Sequence, residues 1–353
     1  MRAVTSGCMM PAAALAANDP TRPTRCRVPH DGLTMPPDTP APSLNASAAV
    51  LVDAMLARAA ELGIACHDSC GRVVDCGVKA SGGNAAGIAM AEVAMAGLGR
   101  VALVPAGDDW EVPTVAVETA SPVAACLASQ YAGWKVSEKG YFAMASGPIR
   151  AAIGREPLFD VIGHRERPAE AVGLLEAGRL PPVEVVEMLA NEAGVPASRL
   201  TLLVAATASA AGTLQVVARS LETALHKLET LGFDLQRIRR GSGRAPLPPV
   251  AGDDLAAIGR TNDAILYGGH VALDVVGDDE SLRQVGASVT SSASADHGLR
   301  FAELFRRAGG DFYQIDPAVF APAVVEFHNI DSGRRHRFGR IEREIVLDSF
   351  GLG

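Results

Sequence analysis

Arg219 and Glu222 stand three residues apart in a stretch, 211–231, whose Leu214, Val217, Leu221, Leu225, Leu228 and Leu231 recur at helical spacing. At 100° per residue, Gln215, Arg219, Glu222 and His226 form a second stripe about 140° around the helix from the apolar one. A guanidinium and a carboxylate at i and i+3 can touch. As an exposed ion pair they would contribute only a few tenths of a kcal/mol, about the value of a solvated helix pair. In a pocket the same pair could instead have a functional role in acid–base chemistry. Two forces then compete at the carboxylate: a close guanidinium lowers its basicity, and burial raises it. The spacing alone leaves both readings open.

Other constellations carry less chemistry. Cys66, His67, Cys70 and Cys76 fall within eleven residues, but adjacent Cys66 and His67 would have to point apart, and no second Cys/His pair follows. Buried thiols beside a turn are the expectation, with no metal. Gly82-Gly83-Asn84-Ala85-Ala86-Gly87 lies between a strand and a helix, yet it is neither a dinucleotide fingerprint nor a Walker loop. No Gly-x-Ser-x-Gly elbow and no His-Glu-x-x-His pair occurs, which argues against a serine hydrolase or zinc protease. Turn-rich polar segments at 207–209, 241–246, 252–254 and 261–263 border apolar runs, as loops at strand ends do, and are candidate pocket walls.

These residues need a frame. The chain has 353 residues, room for about two domains of roughly 150. With 48% AVILMFWYC residues it can build a core, and a net charge of −8 argues against a general nucleic-acid binder. Six cysteines in so long a chain fit a reducing compartment, the cytoplasm, better than a disulfide scaffold. The most apolar long stretch, 200–218, is interrupted by Thr201, Thr207, Ser209, Thr213 and Gln215, so it predicts a strand, a loop and a helix start rather than a membrane span. Residues 1–42 hold eight of the 22 prolines and no apolar period, which predicts a disordered extension. From Ser43 on, the pattern predicts helices at 48–62 (closed by Gly63), 85–98, 122–130, 168–176, 183–193, 211–231 and 299–308. Strands are predicted at 73–78, 101–105, 112–118, 201–206 and 271–276, with a closing hairpin over 324–338. Alternation of this kind implies an α/β fold. The first α/β domain is placed at 43–150 and the second at 151–353, with discontinuous domains left open.

Several stretches, taken in order, resemble the methenyltetrahydromethanopterin cyclohydrolase family. They are Val74-Asp75-Cys76-Gly77-Val78, then 125–134 and 140–148, Thr207-Ala208-Ser209, 222–228, 261–269, 311–317 and Phe320-Ala321-Pro322-Ala323. The likeness runs from about 43 to 340. Two departures stand out: Ala206 where a proline often precedes Thr-Ala-Ser, and Ser242 where cysteine is expected. The resemblance implies two α/β domains side by side around a long cleft, a homotrimer, and neither metal nor other cofactor. It also implies a small-molecule pterin substrate in one-carbon metabolism (formaldehyde oxidation to formate): reversible hydration of a methenyl cation to the 5-formyl derivative. The family's Arg-x-x-Glu pair falls on Arg219 and Glu222. Thr207, Ser209, Asn262 and Asp263 become candidate contacts to the pterin edge, with Gln215 beside them. Two alternatives stand next to this reading: a non-catalytic pterin-binding protein, and a cyclohydrolase acting on a folate carrier.

The proline-rich extension should be dispensable. Deleting residues 1–34, so that translation starts at Met35, should leave solubility and activity at parental levels. A purified truncation that aggregates or loses turnover contradicts this.

Overall fold

The computed structural model describes residues 43–107, 109–311 and 314–353; the proline-rich start, and Phe312 and Tyr313 of one family-like stretch, lie outside them. Among the described residues twelve strands follow one another: β1 (Ala65–Asp68), β2 (Arg72–Gly77), β3 (Gly99–Val104), β4 (Thr114–Thr119), β5 (Trp134–Glu138), β6 (Tyr141–Ser146), β7 (Ala171–Glu176), β8 (Leu200–Ala205), β9 (Ile238–Pro246), β10 (His270–Val275), β11 (Val324–Asn329) and β12 (Arg335–Gly339). They form two six-stranded mixed sheets, ordered β1-β2-β8-β7-β6-β5 and β12-β11-β10-β9-β4-β3. The architecture is α/β with two sheet-based units. Both sheets draw strands from either side of residue 150, so the two units interleave along the chain.

Strand composition explains the layering. In the first sheet β2, β8 and β7 run parallel, and β7 and β8 are buried along their whole length. Their near-continuous apolar sequences are what a strand covered on both faces requires. In the second sheet β10 alternates buried and half-buried positions, the pattern of a strand with one covered face.

Two consecutive helices carry the chain from one sheet to the other. The helix Ala210–Val217 packs against β2 and the helix Asn84–Ala94, whereas Ser220–Thr230 packs against β9, β10 and β4. Glycine makes the second packing possible. A Cβ on Gly243 would lie 2.5 Å from Ser220 Oγ, and one on Gly241 would lie 2.8 Å from Leu221 Cδ1.

Several sequence expectations are corrected here. The single helix expected over 211–231 is broken at Ala218–Arg219, where both residues have ψ close to zero and the axis turns toward the second sheet. The helix expected at 168–176 is β7, since a short apolar run does not distinguish a buried strand from a helix. The loop expected at 241–246 is β9; its glycines serve helix contact rather than a turn. Thr261, Asn262 and Asp263 lie inside the helix Asp254–Leu266, with all three buried. The expectation of buried thiols holds for Cys76, whose pKa burial pushes up to about 12, but not for Cys66 on the neighbouring strand, which is exposed, or for Cys70, which is half-buried. Among the described residues no group of three or more His, Cys, Asp or Glu is placed to hold a metal ion, and no helix is long and apolar enough to cross a membrane.

The loop after β2 is organised by one buried carboxylate. Asp75 accepts from the backbone N–H groups of Gly77 (3.1 Å), Val78 (2.7 Å), Lys79 (2.9 Å) and Ala80 (3.0 Å). Burial pushes its pKa up, but the four N–H groups outweigh burial and hold it below the ordinary aspartate value. Asp75→Asn keeps one acceptor oxygen and loses the charge, so it should lower stability at pH 7 by about 1–3 kcal/mol, the cost of unmet buried donors. Because the folded pKa is depressed, this stabilisation is present above the unfolded value and lost as pH falls through the folded one. The gap between parent and variant should therefore narrow on acidification; a gap that widens below pH 4 contradicts it.

Candidate active site

Glu222 is the third residue of the helix Ser220–Thr230, and Arg219 caps that helix with φ −86° and ψ 4°. Neither side chain has any solvent exposure. The Arg219 guanidinium is held by the ends of several elements. Its Nη1 donates to the Gln130 carbonyl at the end of the π-helical segment Val123–Gln130. Its Nη2 donates to Ser146 Oγ at the end of β6 (2.7 Å) and to Gln215 Oε1 (3.2 Å). The same nitrogen lies 3.5 Å from Glu176 Oε1, the last residue of β7, and Gln215 Nε2 donates to that oxygen at 2.9 Å.

The ion pair of Arg219 thus runs to Glu176. Among the described residues no side chain donates to either oxygen of Glu222, so the i, i+3 contact anticipated from spacing is not the one formed. The helix break is the reason: at the cap position the Arg219 side chain reaches Gln130 and Ser146 instead of following the face that carries Glu222.

Glu222 is therefore a buried acid with little to hold its charge. Burial pushes its pKa up to about 7, against the opposing fields of Arg219 and Arg150 and a weak contribution from the Ala132 amide; Glu176 adds to the upward push. Its place in the first turn of a helix favours the ionised form as well, but only modestly. Arg150 is equally buried, pairs with Glu156 (2.5 Å), and lies with Cζ 4.5 Å from the centre of the Tyr131 ring. The His226 ring lies tilted by 51° against Tyr131, with ring centres 5.1 Å apart, and burial draws its pKa down to about 4. Unpaired buried polar atoms concentrate here: both Glu222 oxygens, Arg219 Nε, Arg150 Nε and Nη1, and Gln130 Oε1. Buried polar groups are nearly always satisfied, and such a density marks a place where a polar ligand completes the bonding.

Of the residues anticipated from sequence, Gln215, Arg219 and Glu222 come together. Thr207 and Ser209 occupy the turn after β8, beside the N-terminus of the helix Asp254–Leu266: the Ala208 N–H donates to Asp254 Oδ1 at 2.9 Å. Ser209 Oγ accepts from the Gly212 N–H and donates to the Ala206 carbonyl, so it caps a helix. Asn262 Nδ2 donates to the Ile258 carbonyl one turn back. Asp263 accepts from the Phe301 N–H and Ser349 Oγ, and burial pushes its pKa up to about 7. The polar groups of Asn262 and Asp263 are thus engaged within the fold.

Sequence reasoning missed Glu176, Arg150, Gln130, Tyr131 and Ser146 as individual site residues. Four of them had a signal. Gln130, Tyr131 and Ser146 lie inside the family-like stretches, and Glu176 is a lone charge at the end of an otherwise apolar run. Arg150 offered none.

The raised pKa has a consequence for stability. A folded pKa near 7, above the ordinary glutamate 4.5, means that the native state binds this proton more tightly than the unfolded chain. Stability contributed by protonated Glu222 is full below about pH 4.5 and lost as pH rises through about 7, a change on the order of 3 kcal/mol. Glu222→Gln removes the titration, so its stability relative to the parent should improve between pH 5 and pH 8. Melting curves that differ by the same amount at both pH values contradict a raised pKa.

The geometry can be set beside known proteins. A family model described as cyclohydrolase (MCH) matches residues 43–350. A methenyltetrahydromethanopterin cyclohydrolase of Methylobacterium sp. (strain 4-46) is 46% identical over 317 residues, covering 88% of this chain and 98% of that protein. One from Rhodopirellula baltica is 48% identical over 288 residues, covering 80% and 86%. Another, from Methanocella arvoryzae, is 41% identical over 283 residues, covering 79% and 88%. With likeness of this depth over nearly the whole described chain, the protein belongs to the methenyltetrahydromethanopterin cyclohydrolase family.

Proposed function

We propose that the protein hydrates a cyclic amidinium, the methenyl cation of a tetrahydromethanopterin, to its 5-formyl derivative, with Glu222 as the proton acceptor. One observation carries the reading: a fully buried carboxyl to which no side chain among the described residues donates, and whose pKa of about 7 lets it exchange a proton at neutral pH. The carbon between the two nitrogens is already electrophilic, so a positioned and partly deprotonated water is the missing element.

The steps balance. Water oxygen bonds to the amidinium carbon, its proton passes to Glu222, and a neutral hydroxy adduct forms. One C–N bond then breaks; its electron pair and the proton from Glu222 go to the departing nitrogen. The hydroxyl proton moves to Glu222 as the C=O forms, and it leaves to solvent. The net change is addition of water and release of one proton. Arg219 supplies the positive field and, through Gln130, Ser146 and Gln215, fixes the wall around Glu222. Thr207 and Ser209, in the turn after β8, are proposed at the pterin edge with Gln215, and Asn262 and Asp263 support that wall from within their helix. No metal enters these steps, because the substrate carries its own positive charge. The homotrimer and the cytoplasmic setting implied by the family complete the proposal.

Relatives of this name support the substrate class. Chelator-treated parent and Glu222→Gln should be assayed with methenyltetrahydromethanopterin and with methenyltetrahydrofolate. The parent should turn over the methanopterin form preferentially, with kcat/KM for hydration rising with pH through about 7, as expected for a base with that pKa. Glu222→Gln should be slower in kcat by about 10²–10⁴, with KM changed far less than that. Near-parental turnover by the variant would falsify the mechanism; preference for the folate would reassign the carrier.

A further inference from the structure

Glu176 has no part in the steps above, yet it sits at their centre. It closes β7 at 5% exposure, lies 3.5 Å from Arg219 Nη2, and is braced by the amide of Gln215 at 2.9 Å. From this juxtaposition we infer that Glu176 is a positioning residue: it serves as the counter-ion of Arg219 and so leaves the Glu222 carboxyl unpaired and able to take and give a proton. The inference rests on the reading of Glu222 as the base.

Charge counting around Glu222 supports it. Among the described residues, the groups that act on it are Arg219 at its own helix cap, Cys126 and Tyr131 from and just after the π-helical segment, Arg150 after β6, and Glu176 from β7, with His226 behind Tyr131. Burial keeps Cys126 and Tyr131 protonated and His226 neutral at pH 7. Two cations remain, and each has its own carboxylate: Arg150 pairs with Glu156, Arg219 with Glu176. With Glu222 protonated the enclosure is neutral. With Glu222 ionised it carries one surplus negative charge, costly in a low-dielectric interior. A singly charged amidinium would cancel that surplus, whereas the neutral formyl product would not. Binding of the cation is then linked to loss of the Glu222 proton, which readies the base when the substrate is present. Formation of the neutral product returns the balance as Glu222 takes a proton from water.

Removing one member of the Arg219–Glu176 pair should shift this balance in opposite directions. Glu176→Gln keeps the shape and an acceptor for Gln215 but leaves Arg219 to be balanced by Glu222. The rising limb of the kcat/KM profile should move down by about one pH unit, and KM for the cation should rise about tenfold, the same free energy expressed twice. Arg219→Gln leaves Glu176 uncompensated and should move the limb up. The double variant Glu176→Gln/Arg219→Gln should return it to within a few tenths of the parent. Should a single variant fail to fold because it strands a buried charge, the double variant, which strands none, still reads the restoration. A limb that stays at the parental pH in Glu176→Gln, with only kcat reduced, overturns the inference, as does a double variant displaced as far as either single one. Glu222→Gln assayed alongside separates the two claims: if it keeps parental turnover, the base assignment falls. If it is inactive while the Glu176→Gln limb does not move, only the role of Glu176 falls.

Discussion

The Arg219 guanidinium ties together the end of a π-helical segment, the end of β6, the end of β7 and the helix Ala210–Val217, all from the cap of the helix that bears Glu222. Those elements come from widely separated parts of the chain. A buried cation at such a junction is tolerable only if every donor finds a partner and its charge finds a counter-ion. Gln130, Ser146, Gln215 and Glu176 meet most of that requirement. What they leave over, one Arg219 donor and an unpaired Glu222, marks the place proposed for the chemistry.

The rest of the fold makes that junction possible by close backbone approach. A Cβ on Gly212 would fall 1.9 Å from the Ala206 carbonyl oxygen, so only glycine lets the helix Ala210–Val217 start so tightly on the turn after β8. Gly241 and Gly243 let the next helix settle on β9. The two helices then bridge the sheets with Arg219 at the step between them. The turn at 207–209 and Glu176 both stand at the carboxyl ends of parallel strands, β8 and β7, where α/β sheets commonly bind ligands.

Much of this was legible in the sequence, and the misreadings have physical causes. The helix Val183–Ala193 and the 324–338 hairpin were read from periodicity and turn residues, and Gly63 does end a helix in the left-handed region. Family-like stretches pointed to Arg219 and Glu222. What failed were inferences from composition without tertiary context. Glycines in 241–246 signal a turn unless a helix must pack on them, and Thr261-Asn262-Asp263 signals a loop unless its polar groups bond inside a helix. The stripe geometry presumed a continuous helix, and the break at Ala218–Arg219 redirected the guanidinium. Nothing at the level of spacing could show that the partner of Arg219 lies forty-three residues earlier in the chain, because strand-end pairings arise only on folding.

The competition between burial and guanidinium at Glu222 resolves in favour of burial, because Arg219 and Arg150 each have another carboxylate beside them. Infrared difference titration of the ligand-free protein, with Glu222→Gln as the reference, reads that competition directly. A protonated carboxyl band belonging to Glu222 should persist in mildly acidic buffer and vanish with a midpoint of about 7. A band that is already lost near 4.5, the ordinary glutamate value, would show a carboxylate held by its arginines and would contradict the central claim.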